Sequence, residues 1–549
     1  MSKNISDLTG KKGIENSLFE KIGNLSKEIG TPSVEAMEKL ADEFLIGKAN
    51  VYGSASFYDL TREENKGKKA YVCNGSSCLT AGTQKAVSDK LEKHFKAEEI
   101  GNMCCLGRCH ENSAFHYDGK NYSGDAIDTF EEIISKQKNP LDHYHVGAIG
   151  KPILTEAFTD INTYYHTLVE ALQKSPEELL SELKTSGLRG RGGAGFPMSF
   201  KLESCKNTPG KTKFVVCNAD EGDPGAYSDR YLLEQRPHSV LLGMIITGYI
   251  IGANWGVLYI RGEYPESIST VDEEIKKLHE SKFLGDNILG SGFNFDFKII
   301  RAQGAYICGE ETALLSSIEG QRPEVRVRPP YPAQQGLFNK PTVVNNVETL
   351  ACVPWIMKNG GQKFADIGRG KSTGTKLISL DGFFNRPGIY EADMGTPLSV
   401  VVNELGQGFK SNVKALHIGG PLGGLVPMDK ISDLSIDFES FNQNGFLLGH
   451  ASVVCIPSDY PMIDYLEHIF EFTAHESCGK CFPCRLGSTR GKELLHKART
   501  ENYQIDRTLF GDLIETMEIG SLCALGGGVP LPVKNAMKYF DEELKPYFS

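Results

Sequence analysis

This sequence predicts a multidomain α/β protein, on three observations. At 549 residues the chain has room for roughly three to four domains of ordinary size. Through its middle, short apolar runs of strand type alternate with helical stretches, the pattern of an α/β layer fold. Toward both ends, cysteines cluster at spacings that suit metal.

Composition narrows the classes. A hydrophobic content of 40% fills ordinary cores. The formal net charge of −11 argues against a nucleic-acid partner and against a polybasic membrane anchor. The N-terminus MSKNISDLTGKKGIE lacks the apolar segment of a secretory signal. The longest apolar run, Val240 to Ala253, is about 14 residues and carries three glycines, too short to span a bilayer. A soluble, cytoplasmic protein without direct membrane insertion is expected. In a reducing compartment, fourteen cysteines point to metal rather than to disulfides.

Residues 1–135 form the first expected domain. It opens with two or three amphipathic helices between Gly13 and Gly47, followed by a strand from Lys68 to Cys73. A helix from about Thr83 to Lys96 comes next, then a hairpin, Ala114 to Tyr122, turning at Asp118-Gly119. Cys73, Cys78, Cys105 and Cys109 read as C-x4-C, a gap of 26 residues, and C-x3-C. Four thiolates on two loops suit a cluster of two irons; structural zinc, which favours C-x2-C pairs, is the competing reading. Cys104 is a spare thiol beside Cys105. Residues 136–152 are polar, contain proline and read as a linker, with His143 and His145 expected to be solvated.

The second domain, residues 153–350, contains Gly187 to Pro197, GLRGRGGAGFP, with five glycines in nine residues. Such bare backbone can press its N–H groups against a flat or anionic ligand. Arg189 and Arg191 are placed to answer phosphate charge, Phe196 offers an aromatic face, and Lys201 follows. Gly190, Gly192 and Gly195 match G-x-G-x-x-G, but Ser175 to Leu183 before the loop reads as a capped helix, where a Rossmann turn needs a strand. A loop that cradles phosphate or flavin is the reading; a flexible linker is the alternative. Lys213 to Asn218 is a buried-strand pattern that delivers Asn218, Asp220, Glu221 and Asp223 at its C-terminal end, where α/β sheets bind ligands. A solvated acidic loop is the alternative there. A second strand, Gly256 to Ile260, precedes Arg261-Gly262-Glu263-Tyr264. After Tyr306 the chain turns through Gly309 into a helix headed by Glu310 and Glu311, and Asn345 and Asn346 precede another helix.

Residues 351–435 switch to short strands at 376–380, 388–391 and 416–418, with a helix at Leu398 to Glu404. Residues 436–549 are mainly helical. Cys478, Cys481 and Cys484 read as C-x2-C-x2-C, and Cys523 follows 39 residues later. Three thiolates on one loop and one remote suit a four-iron cubane; zinc would use paired knuckles. The helix Arg485 to Ala498 is expected to point its positive end at the cluster, and Gly526 to Gly528 to form a turn. Cys205, Cys217, Cys308, Cys352 and Cys455 have no partner spacing and read as buried apolar residues.

On these motifs the chain resembles two subunits of respiratory complex I. Cys73, Cys78, Cys105, Cys109 and Ser56-Phe57-Tyr58 are similar to the thioredoxin-like 2Fe–2S subunit. From Leu188 to the C-terminus the chain resembles the NADH- and FMN-binding flavoprotein subunit and the diaphorase subunits of NAD-linked hydrogenases and formate dehydrogenases. The resemblance implies a thioredoxin-like ferredoxin domain, a Rossmann-like FMN/NADH domain, a ubiquitin-like β-grasp (SLBB) domain and a helical 4Fe–4S domain. It implies that Gly190, Arg191, Gly192, Lys201, Asn218, Asp220, Glu221, Gly309, Glu310, Asn345, Asn346 and Thr349 surround FMN. Gly193, Tyr306 and Glu311 complete the expected cofactor-binding set. Phe196 would stack beside the nicotinamide, with Asp223, Arg328 and Tyr331 near the dinucleotide. Asp223 stands where respiratory forms usually have Glu, Arg328 and Tyr331 where Lys and Phe are common, and Ser204 replaces an aromatic. A 2′-phosphate on Arg328 is left open.

NADH delivers two electrons at once and iron–sulfur clusters accept one at a time, so a flavin is the converter this inventory needs. The leading expectation is an NAD(H)-dependent oxidoreductase subunit holding FMN, one 4Fe–4S and one 2Fe–2S cluster. It would work with other subunits of a redox complex, namely a hydrogenase, formate dehydrogenase or transhydrogenase. The alternatives are the same chemistry in respiratory complex I, and a non-catalytic iron–sulfur scaffold.

Overall fold

The computed structural model describes residues 3–26 and 32–549. At its centre, Phe214–Ala219, Trp255–Ile260, Asp296–Arg301 and Thr342–Asn346 form an all-parallel sheet. The strand Phe214–Ala219, first in chain order, lies between Trp255–Ile260 on one side and Thr342–Asn346 on the other. The direction of winding therefore reverses between the strand ends at Ala219 and Asn346, where an open α/β sheet leaves a crevice.

Side chains alternate across this sheet. Val215 and Cys217 join the core built with Pro237–Ile251 and Val347–Asn359, whereas Phe214 and Val216 join the core built with Glu311–Ile318. Both faces are covered, which is why the strands read as continuous apolar runs. The helix Pro237–Ile251 is buried almost all round. At Gly243 an added Cβ would meet the Leu350 carbonyl oxygen at 2.0 Å, so only glycine lets the two helices approach this closely.

The N-terminal domain has a four-stranded sheet in the order Ile100–Met103, Ala70–Cys73, Phe115–Tyr117, Lys120–Tyr122. The first pair is parallel and the hairpin antiparallel, so the parallel pair ends beside both cysteine-bearing loops. Its expected helix is shorter than read, Gln84–Leu91.

A third, six-stranded sheet places strands in two stretches read as linker and as helix. Its order is Gly424–Pro427, Val413–Ile418, Ser452–Pro457, Thr375–Leu380, Gly388–Asp393, His145–Ile149. His145–Ile149 lies in the stretch expected to be a linker, yet it pairs in parallel with Gly388–Asp393. Nearby Asp142 is clamped by His110 at 2.7 Å, by Arg108 and by Arg230, which hold its carboxyl far below the usual range against the effect of burial. His143 and His145 are exposed, as expected. Ser452–Pro457 lies in the segment expected to be helical, but pairs with Val413–Ile418 at the centre of this sheet. Its Val-Val-Cys-Ile core carries no period that tells a buried strand from a buried helix. After it come the helices Met462–Glu476, Phe482–Thr500, Arg507–Gly520 and Pro530–Tyr539. Residues Ala524–Gly528 form a short helix, not the expected turn.

Candidate functional site

The Gly-rich loop closes over the crevice at the winding reversal. Helix Pro176–Ser186 leads into it, with Ser175 and Glu178 forming the predicted capping box. Gly190 N donates to the Phe196 carbonyl at 2.8 Å and Met198 N to the Leu188 carbonyl at 3.0 Å, pinching residues 190–196 into a narrow loop. Both arginines are turned inward by long-range partners. Arg191 is fully buried; Nη2 donates to the Thr373 carbonyl and its backbone N–H to Thr349 Oγ1 at 2.8 Å. Arg189 donates to the Gly195 carbonyl and to Glu439, with its guanidinium over the Phe438 ring. Arg189 braces the loop from behind; Arg191 does so through Nη2, while its buried Nε and Nη1 have no partner and remain available to a ligand.

The expected ligand residues converge. An added Cβ on Gly192 would meet Asn346 Cβ at 2.9 Å, and one on Gly193 would lie 3.6 Å from Gly449. Asn218 Nδ2 donates to the Gly309 carbonyl at 2.8 Å, joining the first strand end to the turn before helix Glu311–Ile318. Glu310 caps that helix, accepting from Thr312 N and Ala313 N at 2.9 and 2.8 Å. Lys201 reaches Glu311 at 3.0 Å, and Arg328 pairs with the same carboxylate at 3.0 Å. Tyr306 donates to Asp223 at 2.8 Å. Phe196, 45% exposed, and Tyr331, 55% exposed, stand at the mouth. Phe200 packs edge-on against Phe196, a neighbour that no motif in the sequence marks.

Glu221 does something other than face a ligand. Its carboxylate accepts from Asp229 N at 2.7 Å, Arg230 N at 3.0 Å and Tyr264 Oη at 3.1 Å, at the start of helix Ser228–Gln235. Burial, and then Asp229, push its carboxyl up to about 7. His450 lies 3.5 Å from Asp229 and 3.9 Å from Glu221. Burial opposes charging of this imidazole, but Asp229 overrides it and holds the group up to about 9. Asp229 in turn accepts from Asn346 at 2.6 Å, so this buried set props the crevice floor.

Two features test the crevice for a planar cofactor. The Asn345 Nδ2 is buried without a partner, a rare state for an amide unless a ligand satisfies it. At Gly192 only a bare backbone can lie this close to the Asn346 strand end, where an added Cβ would collide with Asn346 Cβ. An isoalloxazine, flat and rimmed with hydrogen-bonding groups, fits both.

Each cysteine set also converges. Cys73 ends a strand, Cys78 lies in helix Ser76–Thr80, and Cys105 and Cys109 sit on the loop after Ile100–Met103 with their sulfurs 3.4 Å apart. All four are about 1–2% exposed. Contacts with Cys109 and Cys73 hold the Cys105 thiol well below its ordinary range, while Cys73 and Cys109 are pushed up. Cys104 turns away from this set toward Asp220 and Glu476. At the other end, Cys481 caps helix Phe482–Thr500 and Cys484 lies in its first turn, so the helix N-terminus faces the sulfurs. Burial, with Glu310 and then Cys478 and Cys484 nearby, pushes Cys523 up to about 12. Lys480, between Cys478 and Cys481, donates to the Val325 carbonyl at 2.7 Å and so ties this loop to the flavin domain. The remaining five cysteines are buried, as expected, and among the described residues no cysteine is in a disulfide. Nor is any helix there long and apolar enough to cross a membrane.

Comparison with known proteins agrees with this layout. Residues 13–138 match the thioredoxin-like [2Fe-2S] ferredoxin family, 183–355 the Nuo51 FMN-binding domain, and 464–547 the NADH-ubiquinone oxidoreductase-F iron-sulfur binding region. The NADH-quinone oxidoreductase F-type subunit 2 of Rhizobium meliloti (strain 1021) is 42% identical over 389 residues, covering 69% of this chain and 91% of that protein. The NADP-reducing hydrogenase subunit HndC of Solidesulfovibrio fructosivorans is 41% identical over 386 residues, covering 70% of this chain and 78% of that protein. A crystal structure of NAD+-reducing [NiFe]-hydrogenase in the H2-reduced state superposes with a TM-score of 0.86 at 28% identity, covering 97% of this chain and 93% of that one. The chain belongs to the F-type family of NADH-quinone oxidoreductase subunits, flavoproteins that bind FMN and iron–sulfur clusters, and carries a thioredoxin-like 2Fe–2S domain ahead of the flavoprotein portion.

Proposed function

We propose that this chain is the NAD(H)-dependent subunit of a multi-subunit redox complex of the NAD-linked hydrogenase, formate dehydrogenase or transhydrogenase type, moving a hydride between NADH and FMN and single electrons to or from a partner subunit. What supports the reading is one crevice at the winding reversal whose domain touches both cysteine-bearing loops, through Arg261 to the Cys104 carbonyl at 3.3 Å and through Lys480 to the Val325 carbonyl at 2.7 Å. FMN, when bound, supplies the conversion between a hydride and single electrons.

The side chains then have distinct tasks. The loop 190–196 and the Asn345 amide hold the flat cofactor, braced by Arg189 and Arg191. Phe196 presents its exposed face to the nicotinamide. Lys201 binds near the phosphate end, and Tyr306 and Asp223 close the inner wall against water. No side chain has to move a proton for hydride transfer. Cys73, Cys78, Cys105 and Cys109 hold the 2Fe–2S cluster, and Cys478, Cys481, Cys484 and Cys523 the 4Fe–4S cluster. Arg328 already pairs with Glu311 and lies 3.8 Å from Glu310, which favours NADH over a nucleotide carrying a 2′-phosphate.

Membership of respiratory complex I is the second reading, favoured by the 42% identity to the Rhizobium meliloti protein. The hydrogenase-type reading is preferred because the hydrogenase chain joins the N-terminal domain and the flavoprotein portion in one polypeptide, superposing over 97% of this chain and 93% of its own length. Affinity purification of the chain from its native cell tests the choice. Co-purifying hydrogenase or molybdenum subunits support it, and co-purifying membrane subunits refute it.

A further inference from the structure

Arg261 follows the strand Trp255–Ile260 and stands between the crevice and the Cys105 loop. Its side chain is about 2% exposed. Nη1 donates to the Glu221 carbonyl at 2.6 Å, and Nη2 to the Cys104 carbonyl at 3.3 Å and to Glu263 at 2.8 Å. One side chain thus ties the strand-end loop of the flavin domain to the cysteine loop of the N-terminal domain. Its guanidinium lies 4.9 Å from the centroid of Tyr264. That ring fills the space beside Gly107, where an added Cβ would meet it at 2.6 Å. The anchored Glu221 has φ of 24°, a conformation that a non-glycine residue keeps only when its surroundings fix it.

The charge balance around Arg261 is uneven. A small cavity beside it is lined by Asp59, Cys104, Asp220, Glu263 and Glu476, and Arg261 is the cation in that lining. Its Nε and the Glu263 Oε2 are buried without partners. A buried guanidinium stays charged, and charge held in a low-dielectric interior acts strongly on its neighbours.

We propose that Arg261 is a positioning residue that sets the potential of the 2Fe–2S cluster: a fixed positive charge, bridging the flavin loop and the cysteine loop, that favours the reduced cluster. This rests on the assignment of Cys73, Cys78, Cys105 and Cys109 as the cluster ligands. Nearby charge and hydrogen bonding set the potentials of such clusters, and removing the cation disfavours the added electron.

The test is a redox titration of the purified, cluster-loaded chain followed by electron paramagnetic resonance of the 2Fe–2S signal. Arg261→Gln is expected to lower the reduced-to-oxidised ratio at fixed potential by on the order of tenfold, ~59 mV for a one-electron couple. Arg261→Lys keeps the charge and is expected to recover most of that loss; a merely structural role would leave it as low as Arg261→Gln. Glu263→Gln removes an opposing charge while leaving Arg261 in place, and is expected to raise the ratio. It decides the matter if Arg261→Gln does not load its cluster. A wild-type titration curve in fully loaded Arg261→Gln, or an unchanged or lowered ratio in Glu263→Gln, overturns the proposal. A wild-type chain without any 2Fe–2S signal overturns the ligand assignment, and this inference with it.

Discussion

The Gly192→Ala substitution isolates the role of the glycine loop. The added methyl would meet Asn346 Cβ at 2.9 Å and Cγ at 3.4 Å. Asn346 has little room to yield, because its Oδ1 accepts from Glu348 N at 2.9 Å and its Nδ2 donates to Asp229 at 2.6 Å. Overfilling a packed position of this kind costs about 1–3 kcal/mol. The strain lies between the loop and Asn346 in the flavin-free fold; relieved by pushing Asn346 into the crevice, it weakens FMN affinity by up to roughly 5- to 150-fold. The assay is quenching of FMN fluorescence on titration into the flavin-free chain, with the 2Fe–2S signal confirming the fold. Gly511→Ala is the control: it lies in helix Arg507–Gly520 with open space around it. It should leave FMN affinity unchanged while raising stability by about 0.5–1 kcal/mol. Folded Gly192→Ala binding FMN within about twofold of wild type would refute the cradle.

Other consequences are as specific. Cys523→Ser should abolish the four-iron paramagnetic signal while the two-iron signal survives; losing both, or neither, contradicts the separate cysteine sets. Lys376 and Glu348 form a pair with both side chains fully buried, so Lys376→Met strands a carboxylate and should cost about 3–5 kcal/mol. Urea denaturation should show Lys376→Met/Glu348→Leu recovering most of it. For pH, His450 is held up to about 9 from 6.5, so the folded state binds its proton more tightly than the unfolded chain. Its contribution is complete below pH 6.5 and is lost as pH rises toward 9. Thermal unfolding of the flavin-free chain should therefore fall over that window, and His450→Gln should flatten the fall; an equal slope in both proteins counts against the buried His450–Asp229 pair.

Much of this site was legible because chemistry fixes spacing. Two thiolate sets and a glycine loop need particular residues at particular intervals, so Cys73 to Cys109 and Cys478 to Cys523 stood out without a fold. Asn218, Gly309, Asn345 and Asn346 were legible as the ends of buried strands or the starts of helices. The roles of the arginines were not. Arg189 and Arg191 look like phosphate binders in sequence, but long-range partners, Glu439 and the Thr373 carbonyl, turn both inward. Glu221 sits in an acidic cluster that suggests a ligand, and instead satisfies the N-terminus of helix Ser228–Gln235. Arg261 and His450 left no local pattern, since each acts across domains. The strand His145–Ile149 was hidden for a similar reason. It is short and largely exposed, and only its partner Gly388–Asp393 makes it a strand.

The central claim is that one chain carries electrons from NADH through FMN to two kinds of cluster. Anaerobic reduction of the cluster- and flavin-loaded chain by NADH, followed by flavin absorbance and electron paramagnetic resonance, tests it most directly. The predicted result is bleached flavin together with two distinguishable signals, one two-iron and one four-iron. Flavin that NADH does not bleach, or a single cluster type in a fully iron-loaded chain, would contradict it.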